Sequence, residues 1–224
     1  MKVRFFSAGD SSHAFMFNDV VEGDGQMTDN RRRCPWAVKD PLSLQYHDTE
    51  WGIPLHDEQR LFLLLNLEVF QAGLSWSLIL SKRSVLTEAL DFFDPFALSL
   101  WDGAQCQACL EKPGMIRNER KVKAVVANAK TFLNLCHQEG GLDPYLWHWG
   151  CGQSNIHHWQ QPAEVPTQTP LSEKISRDLK QRGFLFVGPI VCYSLMEAAG
   201  LVCDHLAWCD CHPDNLSHRV SNIK

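Results

Sequence analysis

The sequence has no apolar run near the roughly 20 residues that a membrane-spanning helix needs, and its N-terminus has no apolar core of a secretory signal. It also has no excess of positive charge, because 21 Lys and Arg stand against 26 Asp and Glu, a formal net charge of −5. These absences predict a cytoplasmic protein without a membrane partner. They exclude a protein that coats nucleic acid through its overall charge, so any DNA contact needs a local basic face.

No segment alternates apolar and polar residues as a half-buried strand does, so the predicted fold class is all-α. The 224 residues, 45% of them hydrophobic, suit one large domain or two small ones that share a core. Residues 1–33 lack periodicity and end in an arginine run, and we interpret them as a mostly flexible extension. A helical domain over residues 34–213 and a C-terminal tail at 214–224 complete the predicted organisation.

Local signals predict where several helices begin. Asp40-Pro41 and Thr169-Pro170 are typical of capped helix starts. The apolar stripe from Leu61 to Ala72 predicts a buried helix, and the apolar spacing over residues 117–135 predicts another, with a basic polar face. Residues 140–168 are rich in Gly, Pro, Gln, His and Trp, and their composition favours an irregular crossover.

The most apolar segment, residues 67–76, contains a carboxylate at Glu68. A carboxylate among core side chains costs several kcal/mol if it stays ionised and unpaired, so Glu68 should have a partner, a cavity or a task. A buried structural hydrogen bond is the alternative to a functional role.

Nine cysteines in a reducing compartment suggest a metal site before disulfides. Cys34 and His47 lie near one end of the ordered region, and His205 and Cys209 lie near the other, at i and i+4, where a helix would point both the same way. One Zn²⁺ could join the four residues in a closed, structural tetrahedron. Core histidines with plain thiols are the alternative, and the rival ligands are Cys106, Cys109, Cys211 and His212.

Two features could contact DNA. Gly183 and Gly188 bound a tight turn between two helices, and such a turn can present backbone N–H groups to a phosphate, although any helical hairpin can use glycine in this way. Residues 112–130 form the basic polar face, from which we select Arg117, Lys121 and Lys123 as candidate phosphate contacts.

Together these pieces resemble the 3-methyladenine DNA glycosylase I family of the helix-hairpin-helix glycosylase superfamily, over some four-fifths of the chain. The first motifs are Cys-x-Trp at 34–36, Asp-Pro-Leu at 40–42, Tyr-His-Asp-x-Glu-Trp-Gly at 46–52 and Leu-Glu-x-x-Gln-Ala-Gly-Leu-Ser-Trp at 67–76. The others are Gly-Met-Ile-Arg at 114–117, Arg-Gly-Phe-x-Phe-Val-Gly at 182–188, Cys-Tyr-Ser at 192–194 and Asp-His at 204–205.

The resemblance implies a helical bundle in which Cys34, His47, His205 and Cys209 hold a structural zinc. It also implies that Glu68 reads the damaged base inside an aromatic pocket of Tyr46, Trp51 and Trp76. Ser43 departs from the family pattern, which commonly has an aromatic residue there. Asp204 could be catalytic or could orient a zinc ligand, and the sequence leaves both roles open.

The implied activity is base-excision repair: the enzyme flips 3-methyladenine out of alkylated double-stranded DNA and removes it by hydrolysis, as a monomer. No lysine lies at a convincing nucleophile position, which favours a glycosylase without lyase activity. Two rivals remain. One is a zinc-containing helix-hairpin-helix DNA-binding module without turnover, and the other is a zinc hydrolase that uses His47 or His205 with Glu50 or Glu68.

Overall fold

The computed structural model describes residues 30–216, so the expectations for residues 1–29 and 217–224 fall outside the described part. Within it the chain forms ten α-helices, and the all-α prediction is confirmed in its coarse form. The helices are α1 Pro41–Thr49, α2 Glu58–Gln71, α3 Trp76–Ala89, α4 Pro95–Ser99, α5 Gly103–Glu111, α6 Glu119–Glu139, α7 Leu142–Trp149, α8 Pro170–Arg182, α9 Pro189–Ala198 and α10 Pro213–Leu216. No described helix combines the length and apolarity that a bilayer crossing requires.

Helix α2 is the centre of the main core. Its side chains from Leu61 to Phe70 are buried except for Leu63, and it packs against α3, α6, α7 and α9. The helix begins where the Asp57 side chain accepts a hydrogen bond from the backbone N–H of Arg60. At the other end, the Lys121 ammonium donates to the carbonyl oxygens of Phe70, at 2.6 Å, and of Ala72, at 2.7 Å.

The sequence prediction was wrong for part of residues 140–168, because α7 lies there. Its first N–H groups, those of Leu142 and Asp143, donate to the Glu58 carboxylate at 2.8 and 2.9 Å. Gly141 precedes them with φ +132°, and a Cβ on this residue would collide with the same carboxylate. The capping group is therefore distant in sequence, and the local pattern could not indicate this helix.

A minimal sheet is the second difference from the all-α expectation. Strand β1, Asn155–Ile156, pairs in parallel with β2, Val202–Cys203. Strands of two residues are too short to show an alternating pattern. Their pairing brings the chain after α7 alongside the segment that carries His205.

Helices α8 and α9 pack against each other and are joined by a turn over residues 183–188. Gly183 ends α8 with φ +105°, and Gly188 is the N-cap of α9. Two buried side chains hold the turn between them: Asn128 accepts from the Leu185 N–H at 2.8 Å, and the Ser176 hydroxyl donates to the Val187 carbonyl at 2.6 Å.

Candidate functional site

Glu68 lies in the last turn of α2 with 3% of its surface exposed. Nothing among the described residues hydrogen-bonds its Oε2 atom. Burial raises the pKa of this carboxyl to about 8, so the group keeps its proton at neutral pH. A structural hydrogen bond would have satisfied this oxygen, and its orphaned state is typical of a group that awaits a ligand.

A cluster of aromatic rings includes Tyr46, which lies near this carboxyl. The Tyr46 ring lies 5.1 Å from that of Trp76, and the Trp51 ring lies 5.0 Å from that of Trp36. Burial and the nearby Glu68 raise the pKa of Tyr46 well above its usual value, so its hydroxyl stays protonated. The Trp76 Nε1–H is a second buried polar atom without a partner in the described part of the chain.

A cavity of about 400 Å³ opens beside this aromatic cluster. Of the four residues predicted for the pocket, only Trp51 lines it, together with Trp36 and with Gln71, which is one turn from Glu68 on α2. Glu68 itself does not line the cavity, and its unpartnered oxygen is buried.

The sequence analysis missed two residues of α9 that line the cavity, Tyr193 and Glu197. Burial, with Asp204 and Glu68 nearby, raises the pKa of Glu197 well above its usual value. A carboxylate in an apolar helix was the signal that singled out Glu68, and the same signal was present at Glu197. The α9 wall of the cavity therefore carries a carboxyl, Glu197, whose pKa is raised as that of Glu68 is.

Asp204 is 1% exposed, and its carboxylate is fully engaged. It accepts hydrogen bonds from the Tyr193 hydroxyl at 2.6 Å and the Trp159 Nε1–H at 2.8 Å, and it pairs with His157 Nδ1 at 2.5 Å. None of these partners is a candidate metal ligand. Of the two roles left open by the sequence, orientation of a zinc ligand does not fit these contacts.

Ser43 does not face the aromatic cluster. Its hydroxyl donates to the Asp40 carboxylate at 2.6 Å, and its N–H donates to the same carboxylate at 2.8 Å, which caps α1. The residue that departs from the family pattern therefore has a local structural role.

The four predicted metal ligands meet in a buried cluster, with one ligand atom of each within 4.8 Å of the others. His47 Nε2 lies 3.1 Å from His205 Nδ1 and 3.5 Å from Cys209 Sγ, and Cys34 Sγ lies 3.9 Å from His205 Nδ1. A tetrahedral Zn²⁺ with bonds of about 2.0 Å to nitrogen and 2.3 Å to sulfur separates its ligand atoms by roughly 3.3–3.8 Å. The arrangement fits one such ion and leaves no open position.

The remaining nitrogen of each histidine has its own partner. His47 Nδ1 lies 2.8 Å from the Asp48 carboxylate, and His205 Nε2 lies 3.1 Å from the Trp51 carbonyl. Such contacts orient imidazole ligands and direct their free nitrogens toward the ion. Gly52, the residue after Trp51, has φ +75°, and a Cβ on it would lie 3.2 Å from the His205 ring. The absence of a side chain at Gly52 therefore leaves room for this ring.

His205 and Cys209 are not on a helix, contrary to the interpretation of their spacing. Residues 204–206 are irregular and residues 207–212 form turns and bends, in which the Cys209 N–H donates to the Leu206 carbonyl at 2.7 Å. A tight turn brings residues four apart to the same side, as a helix does.

A metal binds the thiolate form of cysteine, so a lowered pKa favours a thiol as a ligand. A hydrogen bond from Cys211 is the main cause that lowers the pKa of Cys209, to about 7, whereas the same contact raises the pKa of Cys211. Cys209 is therefore the stabilised thiolate of this pair. The rival ligands Cys106 and Cys109 are buried, with pKa values raised by burial, and the pair belongs to the main core.

The arginine run at the start of the described chain is attached to this cluster. Arg33, whose side chain is 6% exposed, pairs with Asp48 at 2.8 Å, and Arg32 pairs with Asp210 at 3.0 Å. Asp48 in turn holds His47. Arg33, which the sequence analysis placed in the extension before the helical domain, therefore pairs with the carboxylate that contacts the candidate metal ligand His47.

One of the three basic residues chosen as phosphate contacts was assigned wrongly. Lys121 is 4% exposed, and both described partners of its ammonium are carbonyl oxygens at the end of α2. Lys123 is exposed but pairs with Glu119 at 2.6 Å, and Arg117 is exposed beside Glu111. These two remain candidates.

Arg120, which was not among the three selected, contacts the turn between α8 and α9. Its guanidinium carbon lies 5.9 Å from the centre of the Phe186 ring, within cation–π range. Phe186 has φ +59°, so the turn holds this aromatic residue in a conformation that non-glycine residues rarely adopt. Arg120 is therefore attached to the surface of the turn through its contact with Phe186.

Solved structures share this architecture. A crystal structure of 3-methyladenine DNA glycosylase I superposes with a TM-score of 0.78 at 39% identity, and covers 81% of this chain and 100% of that one. A variant of 3-methyladenine DNA glycosylase I in complex with 3-methyladenine gives a TM-score of 0.78 at 34% identity, and covers 81% and 97%. The fold is that of a DNA glycosylase.

The sequence comparisons specify the family. Residues 36–212 match the methyladenine glycosylase family. DNA-3-methyladenine glycosylase 1 of Escherichia coli (strain K12) is 37% identical over 183 residues, which are 82% of this chain and 98% of that protein. The chain belongs to the methyladenine glycosylase family.

Proposed function

We propose that this protein is a monofunctional DNA glycosylase that removes 3-methyladenine from alkylated double-stranded DNA, as a monomer. The observation that carries the proposal is the buried Glu68 carboxyl, with an unpartnered oxygen and with Tyr46 nearby, in a member of this family. The reaction is hydrolysis of the bond between the base and its sugar.

Recognition follows from charge. N3-alkylated adenine in DNA is a cation, and electron-rich rings such as those of Tyr46, Trp51 and Trp76 stack a cation better than a neutral base, by about 0.5–2 kcal/mol per contact. A cation beside Glu68 favours the ionised carboxylate, which offsets the effect of burial on its pKa. Entry of the base therefore releases the Glu68 proton to solvent.

The ionised Glu68 then accepts hydrogen bonds from the amino edge of adenine. Guanine presents an acceptor at that edge and would be repelled, so the carboxylate selects by exclusion as well as by attraction. The positive charge already weakens the bond to the sugar. Glu68 acts by holding the departing base, and a water molecule attacks the sugar.

The hairpin and Arg120 would hold the phosphate backbone while the nucleotide rotates out. The N–H groups of Phe186, Val187 and Gly188 have no hydrogen-bond acceptor within residues 30–216. They precede the N-terminus of α9, where anions are favoured. Backbone contacts of this kind position the duplex and carry no sequence information. This use of the turn is the helix-hairpin-helix role expected from the sequence.

We infer that Cys34, His47, His205 and Cys209 hold a structural Zn²⁺. The ligand distances and the orienting contacts of both histidines support this assignment. The ion would supply folding free energy by joining the start of the domain to its end, and no chemical step passes through it. The zinc hydrolase alternative is disfavoured because four ligands close the site, and Glu50 is paired with Arg83 at 2.7 Å.

The alternative of a DNA-binding module without turnover predicts binding but no released base. Methylated duplex DNA is incubated with the purified protein, and the free bases are resolved by chromatography. Release of 3-methyladenine above the level of spontaneous loss supports the proposal. Tight duplex binding with release no faster than the spontaneous rate favours the module.

A further inference from the structure

A second cluster of metal-ligating side chains lies apart from the cavity and shares no residue with the Cys34, His47, His205 and Cys209 cluster. His158, His212 and Asp214 each place one ligand atom within 4.8 Å of the other two. The proposed glycosylase reaction uses none of them.

The buried member of the cluster has a fixed tautomer. His212 is 0% exposed, and its Nε2 lies 3.0 Å from the His157 carbonyl oxygen, to which only a protonated nitrogen can donate. The lone pair of the neutral ring is therefore on Nδ1, the atom that faces Asp214 and His158. An imidazole oriented by a backbone carbonyl is the usual form of a histidine metal ligand.

The spacing of the ligand atoms suits one ion. Asp214 Oδ2 lies 3.0 Å from His158 Nε2 and 3.8 Å from His212 Nδ1. An ion with bonds of about 2.0–2.2 Å to nitrogen and oxygen separates tetrahedral ligands by roughly 3.4 Å, between the two observed values. The Asp214 N–H also approaches Nδ1, but at 3.3 Å this is a long contact.

The backbone on both sides of the cluster is held in place. Around His158, the His157 N–H donates to the Cys203 carbonyl at 3.1 Å, and the Ala207 N–H donates to the Trp159 carbonyl at 2.8 Å. Beyond His212, the Asn215 side chain donates to the Cys209 carbonyl at 2.8 Å. The three ligands therefore come from anchored segments, which reduces the entropy lost when an ion binds.

The geometry points to a second, solvent-facing site for a divalent transition-metal ion such as Zn²⁺, bound by His158 Nε2, His212 Nδ1 and the Asp214 carboxylate. Two imidazoles favour Zn²⁺, Ni²⁺ or Cu²⁺ over Mg²⁺ and Ca²⁺, which prefer oxygen ligands. The side chains of His158 and Asp214 are 60% and 63% exposed, so solvent reaches the site and water can complete the coordination.

The test counts the zinc bound per chain after equilibrium dialysis of the full-length protein against dilute ZnCl₂. The variants are His158→Gln and Asp214→Asn, which change exposed side chains and spare the buried His212. His56→Gln is the matched control, because His56 is 59% exposed and pairs with Asp143 at 2.8 Å, but belongs to no three-ligand group among residues 30–216.

We expect the parent and His56→Gln to bind one more zinc per chain than His158→Gln or Asp214→Asn. Added zinc should also raise the melting temperature of the first two proteins by more than that of the other two, because all four proteins keep the buried cluster. The test compares the zinc bound per chain between proteins that all keep the buried cluster, so zinc in that cluster contributes equally to each count. Equal zinc counts in all four proteins would overturn the proposal and would show that the cluster is only a surface ion pair.

Discussion

Lys121 of α6 closes the C-terminal end of α2, since its ammonium lies 2.6 Å from the carbonyl oxygen of Phe70, two residues beyond Glu68. A positive charge at this end of a helix offsets the partial charge of the unpaired carbonyl groups. The lysine therefore supports the helix that carries Glu68, the carboxyl that we propose reads the base.

We expect Lys121→Met to destabilise the fold while the long side chain still packs. Two charge-assisted hydrogen bonds are lost, each worth about 1.5–3 kcal/mol, and two carbonyl groups lose their partner. Urea unfolding measures the loss, with Lys123→Met, on the exposed face of the same helix, as the control. If Lys121→Met leaves stability unchanged and weakens duplex binding, then Lys121 contacts phosphate and does not stabilise α2.

Glu68→Gln should retain the fold and lose recognition of the damaged base. The amide keeps the volume, but it cannot ionise beside a cation, and its NH₂ opposes the amino group of adenine. We expect single-turnover excision of 3-methyladenine to fall about 10–100-fold, the equivalent of one charge-assisted hydrogen bond, with binding to undamaged duplex unchanged. A folded variant that excises at the parent rate would remove Glu68 from the site.

The raised pKa of Glu68 predicts opposite pH dependences for stability and activity. Between the usual 4.5 and the folded value of about 8, the folded state binds more protons than the unfolded state, so the free energy of unfolding falls as pH rises. Over the same range the ionised fraction grows, and binding of the cationic base should strengthen until about pH 8.

Chemical denaturation across this pH range measures how the free energy of unfolding changes with pH. Single-turnover excision at subsaturating enzyme measures how the excision rate changes with pH. Glu68→Gln serves as the control, because it has no proton to lose and should flatten both profiles. Parent and variant profiles of the same shape would show that burial does not perturb the Glu68 pKa in solution.

Removal of zinc should unfold the domain cooperatively. The four ligands come from the two ends of the described chain, so the ion constrains the whole domain. A strong chelator should lower the melting temperature of the parent by several degrees or more, and Cys34→Ser should lower it without chelator. The matched variant is Cys136→Ser, at a half-buried thiol outside the cluster. An unchanged midpoint after confirmed metal removal would reject a structural ion.

Charge reversal at Arg120 should weaken binding to undamaged duplex and lower its salt dependence. Arg120 lies beside the hairpin turn, whereas Arg117 lies beside the acidic side chain of Glu111. Arg120→Glu should therefore reduce the slope of log affinity against log salt by about one or more, and Arg117→Glu should change it less. Equal effects of the two variants would mean that the whole basic face contacts DNA.

Local chemistry made several features predictable. The N-cap of α1 at Asp40 and that of α8 at Thr169 are set by contacts within three residues, and the structure confirms both. Glu68 was visible because a carboxylate in an apolar stripe contradicts the pattern around it. For the same reason Glu197 could have been found, but its position at the cavity required α9 to pack beside α2.

What the sequence determined by itself is the periodicity of the helices, their caps and the kinds of ligand available for a metal. The tertiary structure alone decided that Lys121 caps α2, that Glu58 begins α7 from 84 residues away, and that Asp204 binds Tyr193 instead of orienting a zinc ligand. The physical reason is the sequence separation between the residues that interact. Caps and periods depend on neighbours within a turn or two, whereas burial and the partner of a charged group depend on which distant segments pack together.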